Sequence, residues 1–179
     1  MVAERDNGAA AAAAEMTLLR EHGSAIGRVC MALLGDNGAA QAATEEALMQ
    51  AVDAQQARAR SGELPQTGTG WLYGIVRSAC AKRLEADPAP TTRRYGSNDG
   101  QQATEASRVR QALAELRPTE REPTVLRWIA ELAIADIAEA CRIDEDTARA
   151  RVSRGLARLR ASLNDAGSAP QDGREGRNE

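Results

Sequence analysis

The sequence contains no phenylalanine, two tryptophans, two tyrosines and a single histidine, His22, in 179 residues. A core must therefore be packed from Leu, Ile, Val and Ala, and an alanine-rich chain short of aromatics and β-branched runs is expected to be helical. No convincing alternating stretch of strand type occurs, so the expected fold class is all-α. Cysteine is scarce too: Cys30, Cys80 and Cys141 stand far apart with no Cys-x-x-Cys pair, which makes neither a zinc knuckle nor a disulfide framework. Each falls on an apolar helical stripe, where a buried reduced thiol is the expected state and a redox or metal switch the alternative. Long apolar runs are missing. The run Ala9 to Ala14 is too short to span a bilayer and lacks a signal peptide's basic start, so a cytoplasmic protein without membrane insertion is expected. Excess positive charge is missing as well: with a formal charge of -3, attraction to nucleic acid must come from a local patch.

What is present divides the chain. Residues 1–15 are small and polar without an apolar period and are expected to be a disordered lead-in. A first unit, 16–86, holds three helical patterns. Leu19, Ile26, Val29, Cys30 and Leu33 mark the first, which Gly35 to Gly38 stop; Ala43, Ala47, Leu48 and Ala51 mark a second from about Ala39 to Ala57; Leu72, Ile75, Val76 and Ala79 mark a third from Trp71 to about Glu85. Arg58 to Gly70, rich in Gly, Pro, Ser and Thr, is expected to be a loop. Residues 87–105 have almost nothing to bury and are expected to be a flexible linker. A second unit, 106–165, reads as short helices ending in an arginine-bearing one, and 166–179 is expected to be a disordered tail.

That last helix has two faces. At about 100° per residue, Ala148, Val152, Leu156, Leu159 and Leu163 fall on one side and Thr147, Arg151, Arg154 and Arg158 on a separate stripe, with Arg149 and Arg160 flanking. Asp144 is placed to cap it, and Glu145 and Asp146 complement its dipole. A short apolar helix, a tight turn and a helix with one apolar and one basic face make the geometry of a helix-turn-helix, in which Arg reads guanine or binds phosphate. The competing reading is a solvated basic face on an ordinary helical hairpin.

The residues also carry a family likeness. Ala114 to Leu163 resembles domain 4 of bacterial extracytoplasmic-function sigma factors, through Leu116, Pro118, Arg121, Glu122, Leu126, Arg127, Trp128, Ile137, Ala138, Glu139, Ile143, Thr147, Arg149, Arg151, Ser153, Arg154, Leu159 and Arg160. "LLGDNGAAQAATEEALMQAVDA" and "GWLYGIVRSACAKRLE" resemble domain 2 of that family more loosely, through Gly35, Asp36, Glu46, Trp71, Leu72, Tyr73, Ile75, Arg77, Ala79 and Arg83.

The resemblance implies a protein that recruits RNA polymerase core to promoters. Domain 2 would dock on the beta-prime clamp helices, and domain 4 on the beta flap and the minus-35 element. Thr147, Arg149, Arg151, Arg154 and Arg158 would then contact minus-35 DNA. Arg58, Arg60, Ser61, Gln66, Thr67 and Arg77 would hold an unstacked minus-10 base. Glu45, Glu46 and Leu48 would meet polymerase, and an anti-sigma protein would be a further partner. Departures from the family pattern are Ala39, Gln41 and Ala42 in place of clamp-contacting acids, Leu48 and Val52 in place of Phe and Trp, and Arg142 in place of the turn glycine. Pro123 falls where the family is helical and is expected to be tolerated only within a first turn.

The alternative is a diverged sigma-like DNA-binding regulator, or a mimic that occupies an anti-sigma protein. An enzyme is not expected: Gly68 to Gly70 has no Gly-Lys-Ser/Thr after it, and His22 on the Leu19 to Leu33 stripe reads as a packing residue. No catalytic residue, cofactor or metal is assigned.

Overall fold

A computed structural model describes residues 2–66, 68–86 and 105–167. Within them the chain is all-α, with seven helices and no strand among the described residues: α1 Val2–Leu34, α2 Asn37–Arg60, α3 Thr69–Ala86, α4 Glu105–Glu115, α5 Pro118–Ile129, α6 Ile134–Cys141 and α7 Glu145–Gly167. The linker at 87–104, Thr67 and the tail from 168 lie outside the described residues.

Helix boundaries follow local chemistry and correct several expectations. The lead-in is not irregular: α1 begins at Val2, because alanine has the highest intrinsic helix propensity and the Ala9 to Ala14 run needs no apolar period to be helical. Gly35 ends α1 with a φ of 71°, a left-handed conformation suited to glycine, and its N–H returns to Met31 O at 2.9 Å. Asp36 then caps α2 by accepting the Ala39 N–H at 2.7 Å. Helix α2 runs through Arg60, so Arg58 and Arg60 belong to its last turn and not to the loop that follows.

In the second unit Pro118 opens α5 at its first position, where a missing N–H costs nothing. Pro123, however, lies beyond the first turn, inside α5 and buried. It is accommodated in the helix interior, contrary to expectation, and leaves the Thr119 carbonyl without its usual helical donor.

The first unit is built on α1, α2 and α3 around Ile26, Val29, Leu34, Leu72, Tyr73 and Val76, all fully buried. Helix α2 contributes mainly methyl groups, Ala40, Ala43, Ala47 and Ala51. At about 0.8 kcal/mol per buried methylene-sized group, such a face holds its neighbours closely and weakly. His22 packs its ring edge-on against Tyr73 at 5.9 Å, in line with a packing role. The Tyr73 hydroxyl is buried without a hydrogen-bond partner, and burial pushes its pKa up to about 12. The second unit closes on Leu113, Leu116, Val125, Leu126, Leu132, Ile137 and Ala148.

The two units share one continuous core. Their closest approach is between α3 and α6, where two glycines one turn apart replace side chains. A Cβ on Gly70 would stand 2.8 Å from Glu139 Cβ and 2.9 Å from the Asp136 carbonyl, and one on Gly74 would stand 3.7 Å from the Ala140 backbone. Arg77, on the same face of α3, donates from Nε to Ala140 O at 3.1 Å and meets Glu122 at 3.3 Å.

The turn between α6 and α7 carries a local strain. Arg142 caps α6 with φ 55° and ψ 50°, and Ile143 N–H returns to Ala138 O at 3.0 Å. This is a left-handed cap of the kind glycine fills without a Cβ penalty. Arg142→Gly is therefore expected to stabilise the chain by about 1 kcal/mol in chemical denaturation; a loss of stability would show that the arginine side chain supplies more than the backbone costs.

Candidate nucleic-acid interface

Helix α7 starts where the cap chemistry places it. Asp144 accepts the Thr147 N–H on one carboxylate oxygen and the Thr147 hydroxyl on the other, both at 2.7 Å. These two donors hold the Asp144 carboxyl below its usual range. Its cap is thus complete above the ordinary aspartate pKa and is lost as pH falls through the lowered one. The Thr147 hydroxyl proton is spent inside the protein, leaving only its lone pairs for an incoming group.

Anchoring on α5 is closer than an aliphatic stripe would allow. Gly155 is buried, and a Cβ there would collide with Thr124 Oγ1 and come within 3.2 Å of the Glu120 carbonyl. Thr124 turns its hydroxyl into its own helix, donating to Glu120 O at 2.7 Å. Ala148 is fully buried beside this crossing, while Val152, Leu156, Leu159 and Leu163 are half-buried.

The close crossing brings a buried carboxylate beneath the arginine stripe. Glu120, with a side chain only 5% exposed, stands 3.6 Å from Arg154 Nε and 3.3 Å from Arg158 Nη1. The arginines themselves remain 57% and 46% exposed. Glu120 Oε2 makes no hydrogen bond of good geometry, so its contact with Arg158 is a charge contact and not a bidentate fork. One carboxylate shared by two guanidinium groups leaves most of their N–H donors free. The stripe is tethered at its root by Glu120 and open at its rim.

Other members differ. Arg149 pairs with Asp146 at 2.7 Å and Glu145 at 3.9 Å on the exposed first turn, contacts worth little in water. Arg151 is half-buried and Arg160 exposed, and neither has a carboxylate partner among the described residues.

In the first unit the segment after α2 is pinned. Gln55, buried at the end of the alanine stripe, donates to Gln66 O and accepts the Gln66 N–H at 2.9 Å. Arg58 donates to Leu64 O at 2.9 Å and pairs with Glu63 at 2.9 Å, and Ser61 bonds Glu63 at 3.0 Å. Arg58, Ser61 and Gln66 are thus gathered around one short loop, whose tip Leu64 is 80% exposed, with Arg60 beside it in the last turn of α2. Arg77 is not part of this cluster: it is engaged with Ala140 and Glu122 of the second unit. Of the three residues expected to meet polymerase, Glu46 is held by Lys82 at 3.2 Å and Arg83 at 3.4 Å, Leu48 is half-buried, and Glu45 is exposed. Glu120, Gln55, Gly155 and the Gly70–Gly74 pair shape these surfaces without any motif in the sequence that marks them.

Comparison with known proteins agrees with this geometry. Residues 106–159, which span α4 to α7 up to the arginine stripe, match the family model for sigma-70, region 4. The match is to the second half of the chain, whose helices α4 to α7 are thus similar to sigma-70, region 4. Among solved structures, the sigma factor RpoE from Bartonella quintana, in complex with the anti-sigma factor NepR, matches with a TM-score of 0.63 at 22% identity, over 83% of this chain and 95% of that chain. At that identity the match shows a common fold, one that embraces both units. No curated protein matches the chain. The matched segment includes the helix-turn-helix, α6 and α7 joined through Arg142.

Glu120→Gln removes the buried negative charge beneath Arg154 and Arg158. The full chain is expected to bind a duplex oligonucleotide several-fold more tightly, with its log–log salt slope steeper by about 0.9 for each further phosphate neutralised. Fluorescence anisotropy across a salt series reads both quantities; an unchanged slope would show that Glu120 does not restrain the stripe.

Proposed function

We propose that the chain is a sigma factor that carries RNA polymerase core to specific promoters, with α7 in the major groove of the minus-35 element and the end of α2 with the loop after it holding a minus-10 base. The observation that carries the proposal is α7 itself, fixed through Gly155 and presenting Arg151, Arg154 and Arg158 from a half-exposed face. Arg151 and Arg154 are assigned to base edges, Arg158 and Arg149 to phosphate, and Thr147 to a contact through its free lone pairs. Arg58 and Arg60 in the last turn of α2, with Ser61, would bind backbone, and Gln66, held by Gln55, the extruded base.

Core polymerase would take the first unit through the beta-prime clamp helices, at Glu45 and Leu48, and region 4 through the beta flap. Glu46 would have to leave Lys82 and Arg83 to contribute. An anti-sigma protein is proposed as a second partner, supported by the sigma factor of the same fold that is seen with one. The protein acts in the cytoplasm and performs no catalysis of its own; among the described residues no helix is long and apolar enough to cross a membrane.

Promoter engagement has a geometric requirement. Elements centred about 25 base pairs apart stand roughly 85 Å apart along B-form DNA, whereas a compact chain of this length is only about 40 Å across. The α3–α6 seam must therefore part, releasing Arg77 from Ala140 and Glu122. Residues 87–104 are long enough to reach about 60 Å when extended.

Run-off transcription with purified core on a pool of genomic fragments tests the proposal. Specific transcripts are expected, and Arg151→Ala or Arg154→Ala should reduce them by roughly ten-fold or more, in keeping with about 1–3 kcal/mol per base contact. Core binding without promoter-specific transcripts, or transcripts indifferent to both substitutions, would overturn it.

A further inference from the structure

Promoter reading leaves two buried nucleophiles without a role. Cys30 on α1 and Cys80 on α3 are 0% and 2% exposed, and their sulfur atoms lie 3.6 Å apart in the core of the first unit. They come from helices separated by 50 positions in sequence, so the meeting is made by the tertiary fold and not by local geometry.

We infer that Cys30 and Cys80 are an oxidative modification site, a thiol pair that a small hydroperoxide converts into an intrachain disulfide locking α1 to α3. Closing the sulfur–sulfur gap to a bond of about 2.05 Å asks for a shift of roughly 1.5 Å, within reach of small side-chain rotations and helix adjustment.

The pair is chemically unequal, which sets the order of events. Cys80 donates to Cys30, and this contact holds Cys30 below the ordinary thiol value. Cys80 is raised by the same contact and by burial. Cys30 is thus the thiolate that attacks. Its sulfur takes one oxygen of the hydroperoxide and becomes a sulfenic acid, with release of an alcohol, or of water from hydrogen peroxide. Cys80 sulfur then attacks the sulfenic sulfur, its proton leaving with the hydroxyl as water. Two thiols and one hydroperoxide give one disulfide, one alcohol and one water.

Access comes through α2. Its alanine face covers this core with little buried area per residue, and Thr44 of α2 lies against Cys30, so transient loosening of α2 exposes the pair. Cys141, half-buried in the second unit, is an internal control: burial pushes its pKa up to about 11, and no second sulfur lies beside it among the described residues.

The test is oxidation of the reduced, full-length chain with hydrogen peroxide, followed by thiol titration in denaturant and peptide mapping by mass spectrometry. Titratable thiols should fall from three to one, with the Cys30 and Cys80 peptides joined within a single chain, two hydrogens lost and the change reversed by dithiothreitol. The thermal midpoint should rise by about 5–10 °C on oxidation. A Cys141→Ser chain, which leaves the pair untouched, should go from two thiols to none. In a Cys80→Ser chain, Cys30 should stop as a sulfenic acid that dimedone traps. Oxidation confined to Cys141, joined peptides arising only between two chains, or two thiols persisting in Cys141→Ser under peroxide would each overturn the inference.

Discussion

The crossing of α5 and α7 at Gly155 is the contact on which the second half of the molecule depends. Because residue 155 has no side chain, Thr124 and the Glu120 carbonyl can occupy the space a Cβ would fill, and the two helices approach to backbone range. That approach sets two further things. It sets the rotation of α7, with Arg154 and Arg158 exposed and Arg151 half-buried. It also slides Glu120 beneath Arg154 and Arg158, giving two cations one shared anchor. A buried carboxylate without compensation would be costly; here the arginines supply it while keeping about half their surface for another anion.

A second close approach, through Gly70 and Gly74, joins the two units and shapes how the chain would open. Small residues on α3 let α6, the first helix of the helix-turn-helix, pack directly on the α1–α3 unit, and Arg77 ties the seam with one hydrogen bond and one ion pair. Such a seam is close in geometry, with backbone rather than side chains at the contact. The alanine face of α2 is the third instance of the same economy: small side chains bring helices close without large burial.

Much of this is legible in the sequence, and what is not has identifiable causes. Helix content, the Asp144 cap, the left-handed cap at Arg142 and the basic and apolar faces of α7 all follow from short-range rules of spacing and propensity. The alanine run at the start of α1 is helical through propensity, which an apolar period does not register. Arg58 and Arg60 stay helical because the helix-ending signals act only at Ser61 and Gly62, later than the composition of the whole Arg58 to Gly70 stretch suggests. Glu120 and Arg77 are invisible as partners because their contacts cross between helices and between units, which no local pattern encodes. Gln55 and the Gly70–Gly74 spacing form no motif but do leave a trace: a lone polar residue on an alanine stripe, and two glycines one turn apart within a helix.

Coupling between positions 155 and 124 tests most directly whether this crossing holds the arginine face in place. Gly155→Ala should lower both the unfolding free energy and duplex affinity, and Thr124→Ala in the same chain should restore part of each, because it removes the hydroxyl that the new methyl meets. An interaction term of about 1 kcal/mol or more is expected in a double-mutant cycle. Strictly additive effects, or duplex binding untouched by Gly155→Ala, would contradict it.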